Sequence, residues 1–383
     1  MRWVRTFLVL SIFVSAVGGC SWAQWKHSGP ITISGQNGVV IKNMSITSVT
    51  GNCITVKHSK NITVESSQIG PCGTAGGSTL GNGIQISDSS GVHIYDNYIH
   101  PETHTSTCCD YHDGIYGSGG NRDVVIQGNV IAYGESNIEF DHRNSSITVK
   151  GNFLLNPRGP FPRGQNFQCW GNRSDTPCSG ITVENNYALS SQSTSRYRYA
   201  ADQEDSINFG FTDGAVARDN YIEGGRSPSG CGLIADEAAN NIKFVANKLL
   251  NTGQCGIGIA DGTNQLVDRN EVYNSTPVPK GGNTAIYTWK QYRYKCGPTT
   301  VSNNVADEIR SGGVHSGFFD GGHCGTTLSG NTFGAAADQR LTPTDTVFPK
   351  PLIPPQPVHC IASSPYTTST QSKSGKPDCR GGR

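Results

Sequence analysis

One string recurs along this chain and constrains its fold more than any other feature. It reads β-branched, any, β-branched, any, any, Asn, any, apolar. Val92 to Ile99, Val124 to Ile131 and Ile147 to Leu154 are three instances. Asn occupies the slot at 43, 97, 129, 152, 186, 220, 247, 270, 304 and 331, with Ser67 in the same place once, and successive slots lie 23 to 34 residues apart. A fixed string at such a period is the mark of a solenoid in which each repeat is one coil and longer intervals carry loops. Asn suits a coil corner, because it tolerates left-handed backbone and its amide can hydrogen-bond from coil to coil.

A second register runs with the first. An aliphatic residue stands 13 or 14 places before the slot at Ile54, Ile84, Ile115, Ile138, Ile207, Leu233 and Ile257. Two strands per coil at constant separation stack into parallel sheets, and parallel crossovers are right-handed. The expected fold is therefore all-β, a single right-handed parallel β-helix of about eleven coils, spanning residues 24–335. With 48 Gly, 2 Met and 15% charged residues, the composition favours turns and strands over helices.

The flanks read differently. Residues 1–23 have the form of an export signal, with Arg2 and Arg5 before an apolar run from Phe7 to Ala16 that is too short to span a bilayer. Cleavage before Gln24 competes with a lipobox ending at Cys20, which would then carry a lipid anchor. Residues 336–383 are Pro-rich, then polar, and read as a tail. Of 13 cysteines, Cys20 aside, twelve remain for disulfides in an oxidising compartment, and no CxxC pair suggests zinc. The expected location is outside the cell or in its envelope. A net charge of +1 gives no field to recruit nucleic acid or anionic membrane, and the chain is expected to act as a monomer.

Alternation along strands places candidate chemistry. If the reference aliphatics point inward, His112 and Tyr116 face outward on one coil. On the next, Glu135, Asn137, Glu139 and Asp141 do so. Taking Phe167 as inward adds Asn166, Gln168 and Trp170, and the Ile207 coil adds Glu204 and Asn208. Loops bordering these coils would wall a groove suited to a polysaccharide. Glu139 and Asp141 should lie roughly 7 Å apart, in the range of about 6.5–9.5 Å used by inverting glycosidases. A lyase would need a base and a cationic clamp, for which His112 with Asp113, and Arg143 or Arg163, are candidates. Grouped carboxylates could instead hold Ca2+. Asp236, Glu237 and Asp261 read as turn formers. The stretch Trp289-Lys290-Gln291-Tyr292-Arg293-Tyr294 reads as a sugar-stacking loop or a packed flap.

From about residue 31 to 335 the coil pattern resembles the right-handed parallel β-helix superfamily that includes pectate lyases, polygalacturonases and mannuronan C5-epimerases. Asp110-Tyr111-His112-Asp113 is similar to the Asp-Pro-His-Asp signature of the epimerases, with Tyr111 in place of Pro. That resemblance implies proton transfer by His112 with Asp110 beside it. The resulting expectation is a polysaccharide lyase or related proton-abstracting enzyme acting on a uronate-containing glycan. A glycoside hydrolase built on Glu139, Asp141 and Glu204 and a non-catalytic glycan-binding solenoid are the alternatives.

Overall fold

The computed structural model describes residues 25–73, 81–101, 113–159, 164–171, 177–190, 203–225 and 227–349. Asp110, His112, Arg163, the signal segment with Cys20 and the tail beyond residue 349 lie outside them.

Three parallel sheets of 13, 11 and 12 strands run the length of the chain, each strand pairing with its counterpart one coil on. The molecule is a parallel β-helix with three strands per coil, where two registers predicted two. The reason lies in the repeated string, which is two strands rather than one. Its β-branched pair (Val92 and Ile94, for instance) belongs to sheet 3, the slot is a corner, and the apolar residue after it (Ile99) belongs to sheet 1. The reference aliphatics form sheet 2, stacked as Ile54, Ile84, Ile115 and Ile138, all fully buried.

The slot corner is held by a continuous amide ladder. From Asn97 to Asn331, each Nδ2 donates to the Oδ1 of the slot residue in the next coil at 2.9–3.0 Å. Backbone N–H groups donate to the same oxygens, as from Asn152 to Asn186. The Asn side chains are almost wholly enclosed, so the ladder satisfies polar groups that burial would otherwise penalise. Left-handed backbone falls one residue earlier than expected. Ser66, Asp96, Asn185, Asp219 and Ala246, among others, take φ near 50–55°, and Gly128, Gly151 and Gly330 take 62–70°. Asn43 is such a residue (φ 55°). Met44 pairs with the slot column in that coil and donates its N–H to the Ser67 hydroxyl.

The other two corners carry mixed ladders that the sequence pattern concealed. Ser59, Ser89, Asn121 and Asn144 line one. Asn52, Asn82, Asp113 and Ser136 line the other, where the Asp113 carboxylate accepts from the Ser136 N–H at 2.9 Å. Asp113, a candidate partner for a catalytic base, is thus part of the scaffold. Disulfides Cys53–Cys72, Cys169–Cys178, Cys231–Cys255 and Cys296–Cys324 staple neighbouring segments. They fit an oxidising compartment. Among the described residues no helix is long and apolar enough to cross a membrane.

At the C-terminal end, the helix Ala335–Leu341 lays Ala337 and Leu341 on Tyr273, Leu250 and Val305 of sheet 1, joined by Phe348. Close by, Glu308 is fully buried and accepts from Asn274 Nδ2, and burial pushes its carboxyl up to about 8. A carboxyl raised in this way favours the fold below the ordinary carboxylate range. That contribution fades as pH rises toward 8. Glu308→Gln is therefore expected to raise the melting temperature at pH 8 and leave it nearly unchanged at pH 4.5, as followed by circular dichroism.

Candidate functional site

Strand register sets the site. Across sheet 2, Tyr116 pairs with Glu139, Glu139 with Gln168, and Gln168 with Asn208. The four predicted outward residues therefore form one column on consecutive coils. Asp141 follows Glu139 by two positions, one past the end of the strand, whose last residue, Phe140, pairs with Cys169. Trp170 lies across Gly210, where an added Cβ would fall 2.3 Å from its ring, and meets Phe211 edge-on at 5.7 Å. Only glycine leaves that ring its floor.

At one end of the column the Tyr116 hydroxyl donates to Asp141 Oδ2 at 3.3 Å, and the Gly119 N–H donates to Asp141 Oδ1. Burial raises the Asp141 carboxyl above its usual range, against the opposing pull of His142 and these hydrogen bonds. Burial, reinforced by the charges of Asp141, Glu139 and Asp113, pushes the Tyr116 phenol well up, so it remains a donor.

At the other end stands a group that sequence reasoning missed. Asn208 Nδ2 donates to Asp205 Oδ2 at 2.9 Å and to Asp236 Oδ2 at 3.3 Å, while the Cys231 N–H donates to Asp205 Oδ1 at 2.7 Å. Burial lifts both carboxyls, and Asp205 is lifted further by Glu204 and Asp236. Tyr292 hydrogen-bonds Asp236. Burial also raises Asp261 to about 6. The separation of 31 positions from Asp205 to Asp236 hides their proximity from any local motif. The nearest available clue was the column itself, since Asp236 follows the strand next to Asn208. Gln168 Oε1, Asn208 Oδ1 and Asp236 Oδ1 are buried with no hydrogen-bond partner, a deficit of about 1–3 kcal/mol each.

The remaining candidates divide. Glu204 is half-buried next to Asp205, and Glu135 is buried below the Glu139 strand. Asn137 and Asn166 are fully enclosed instead of outward-facing: Asn137 donates to Asn166 Oδ1, and Asn166 to the hydroxyls of Ser190 and Ser206. Arg143 is exposed on the turn after the Glu139 strand with φ 67°. Trp289, 46% exposed, lies beyond the column with Phe319 edge-on at 6.5 Å. His315 Nδ1 lies 2.6 Å from Asp307 Oδ2 near the C-terminal end of the rod. Among the described residues no group of three or more His, Cys, Asp or Glu is arranged to hold a metal ion.

No known protein family and no characterised protein matches the chain by sequence. Solved structures match it in fold. The Dettilon tailspike protein aligns at TM-score 0.47 and 12% identity over 81% of this chain and 59% of its own. PfbA, a surface adhesin of Streptococcus pneumoniae, aligns at 0.46 and 13% over 80% of this chain and 70% of its own. An alginate lyase from a Paenibacillus species aligns at 0.48 and 13% over 78% of this chain and 99% of its own. The chain thus spans less than two thirds of the tailspike's length. At such identities the similarity concerns fold alone.

Proposed function

We propose that the outer face of sheet 2 binds a polysaccharide and that Glu139 and Asp141 hydrolyse it. The observation that carries this reading is Glu139 on its strand and Asp141 two positions on, just past the strand's end, with Tyr116 donating to Asp141. Two residues along a strand are about 6.6–6.8 Å apart, the separation of an inverting pair. In that reaction Asp141, whose burial favours the protonated form, gives its proton to the glycosidic oxygen as the bond from the anomeric carbon breaks. Water attacks that carbon from the opposite face, and Glu139 takes the proton that water loses.

Charge argues for a neutral glycan. The six sheet 2 strands Ile115–Ser118, Ile138–Phe140, Phe167–Trp170, Ile207–Gly210, Cys231–Ala235 and Cys255–Ile259 contain no Lys or Arg. Glu139, Asp141, Glu204, Asp205 and Asp236 border the same face. A floor without cationic side chains on these strands gives a polyuronate no clamp, which favours a neutral glycan. The lyase reading takes His112 as base, which lies outside the described residues, with Arg163, also outside them, or Arg143, exposed on the turn after the Glu139 strand, as clamp. We place the reaction in an oxidising compartment, secreted or at the envelope, in keeping with the disulfides.

The test is a panel of neutral and acidic polysaccharides, with and without added calcium. Reducing ends and absorbance of unsaturated uronates are followed together. New reducing ends on a neutral glycan support hydrolysis. Unsaturated product sinks it in favour of a lyase, and binding without any product leaves a glycan-binding solenoid.

A further inference from the structure

Among the described residues three large aromatic side chains stand exposed: Trp289, Tyr292 and Phe319, at 46%, 38% and 45%. All three gather toward one end of sheet 2. Tyr287 pairs with Phe319 on the next coil, and Trp289 closes the Tyr287 strand. Tyr292 belongs to the segment after that strand, which runs back over the two preceding coils. Gln291 N–H donates to Ala260 O at 2.8 Å, Gly262 N–H donates to Lys295 O at 2.8 Å, and Tyr292 hydrogen-bonds Asp236. The Cys296–Cys324 disulfide and the Gly297 N–H to Gly262 O bond (2.7 Å) fix the base of the segment.

The rings are supported as well as exposed. Trp289 lies against Gly321, where an added Cβ would fall 2.3 Å from its ring, and Phe319 stands edge-on to it at 6.5 Å. Such a surface is ordered before any ligand arrives, so little freedom is lost on binding. Three half-exposed rings present on the order of 200–300 Å². A stable protein interface takes about 800 Å² from each partner, so the patch is too small for a second copy or a protein partner. It suits sugar rings, whose C–H faces lie on aromatic rings while their hydroxyls take hydrogen bonds from donors alongside. Lys290, Gln291 and Arg293 are exposed in that position. Both signs of charge are present, since the exposed Asp320 and the half-buried Glu237 stand near the cations, so the rings rather than a net charge set the ligand class.

We propose that Tyr292, Trp289 and Phe319 form a stacking platform for a neutral polysaccharide, a binding site separate from the reacting pair. From the coil of Asp236, where Tyr292 is held, to the coil of Phe319 is three coil steps, about 14 Å along the rod. That length takes a run of about three sugar units, one for each step of about 4.8 Å. Trp289 stands five coils on from Glu139, about 24 Å away. The platform therefore does not touch the bond that breaks; it keeps the polymer on the protein while the column works. The neutral class of the polymer rests on the reading above, whereas the binding itself stands without hydrolysis.

The experiment is native electrophoresis through gels that contain each polysaccharide of the panel above, with the apparent Kd taken from mobility against polymer concentration. A neutral polysaccharide is expected to retard the unmodified protein. The double substitution Trp289→Ala, Phe319→Ala is expected to raise that Kd severalfold with the melting temperature unchanged, because both rings are exposed. Trp289→Phe, which keeps a ring in place, should recover most of the affinity. A double variant that melts normally and is retarded as strongly as the unmodified protein overturns the platform. So does an unmodified protein that no polysaccharide retards, an outcome that needs no variant. Retardation by acidic polysaccharides alone overturns the neutral ligand, and self-association in sedimentation that the double substitution abolishes gives the rings to a second copy instead. Ring-dependent retardation without reducing ends on any glycan supports the platform and rejects hydrolysis. Reducing ends without retardation do the reverse.

Discussion

Glu139→Gln is expected to lower turnover by about 10²–10⁴-fold while the melting temperature stays within a degree or two of the unmodified protein. The substitution keeps the shape of the side chain in the column between Tyr116 and Gln168. What it removes is the ability to take a proton from water. Asp141→Asn should give a comparable loss, since the leaving oxygen then receives no proton. Tyr116→Phe separates the roles. Its hydroxyl hydrogen bond favours the ionised form of Asp141, so deleting it raises the Asp141 pKa. Activity that depends on protonated Asp141 then persists to higher pH, and the alkaline limb of the kcat/KM profile moves upward. An unmoved limb with full activity would show that Asp141 is not the acid. A Glu139→Gln protein that retains full turnover would remove the paired-carboxylate mechanism altogether.

The second large effect is structural. Asn186 sits mid-ladder, fully paired: its Oδ1 accepts from Asn152 N–H and Nδ2, and its Nδ2 donates to Val149 O and Asn220 Oδ1. Asn186→Ala strands several of these groups in a water-free corner. At about 1–3 kcal/mol for each orphan, and allowing for partial relaxation, a loss of about 3–5 kcal/mol is expected, large for one substitution. Urea unfolding followed by circular dichroism measures it. Lys57→Ala, at an exposed side chain on a strand, is the comparison and should change stability by less than about 0.5 kcal/mol. Equal effects of the two would mean that the ladder contributes little.

Much of this architecture was legible because a coil imposes one period on every element. The slot Asn residues and the Ile column each repeat where the fold repeats, so alternation from Ile115, Ile138 and Ile207 put Tyr116, Glu139, Gln168 and Asn208 on one face. The same logic failed where a corner interrupts the pleat. Counting odd offsets from Ile138 and Phe167 turned Asn137 and Asn166 outward, whereas the bend at the strand start encloses both. The mixed corner of Asn52, Asn82, Asp113 and Ser136 shows no letter pattern, because an amide, a carboxylate and a hydroxyl can all accept the same N–H. Asp205 was not singled out and Asp236 was read as a turn former for a different reason. Their chemistry comes from burial and from a shared amide, neither of which a one-dimensional pattern records. His112, Asp110 and Arg163 fall outside the described residues.

The amide ladder also gives the rod an electrical direction. Every slot Oδ1 accepts from the coil before it, so every carbonyl of the column faces the N-terminal end and the dipoles add. In an enclosed column their sum is weakly screened. Independently of the net charge of +1, this column is therefore polar along the rod's axis, its amide N–H ends toward the last coils and its carbonyl ends toward the first.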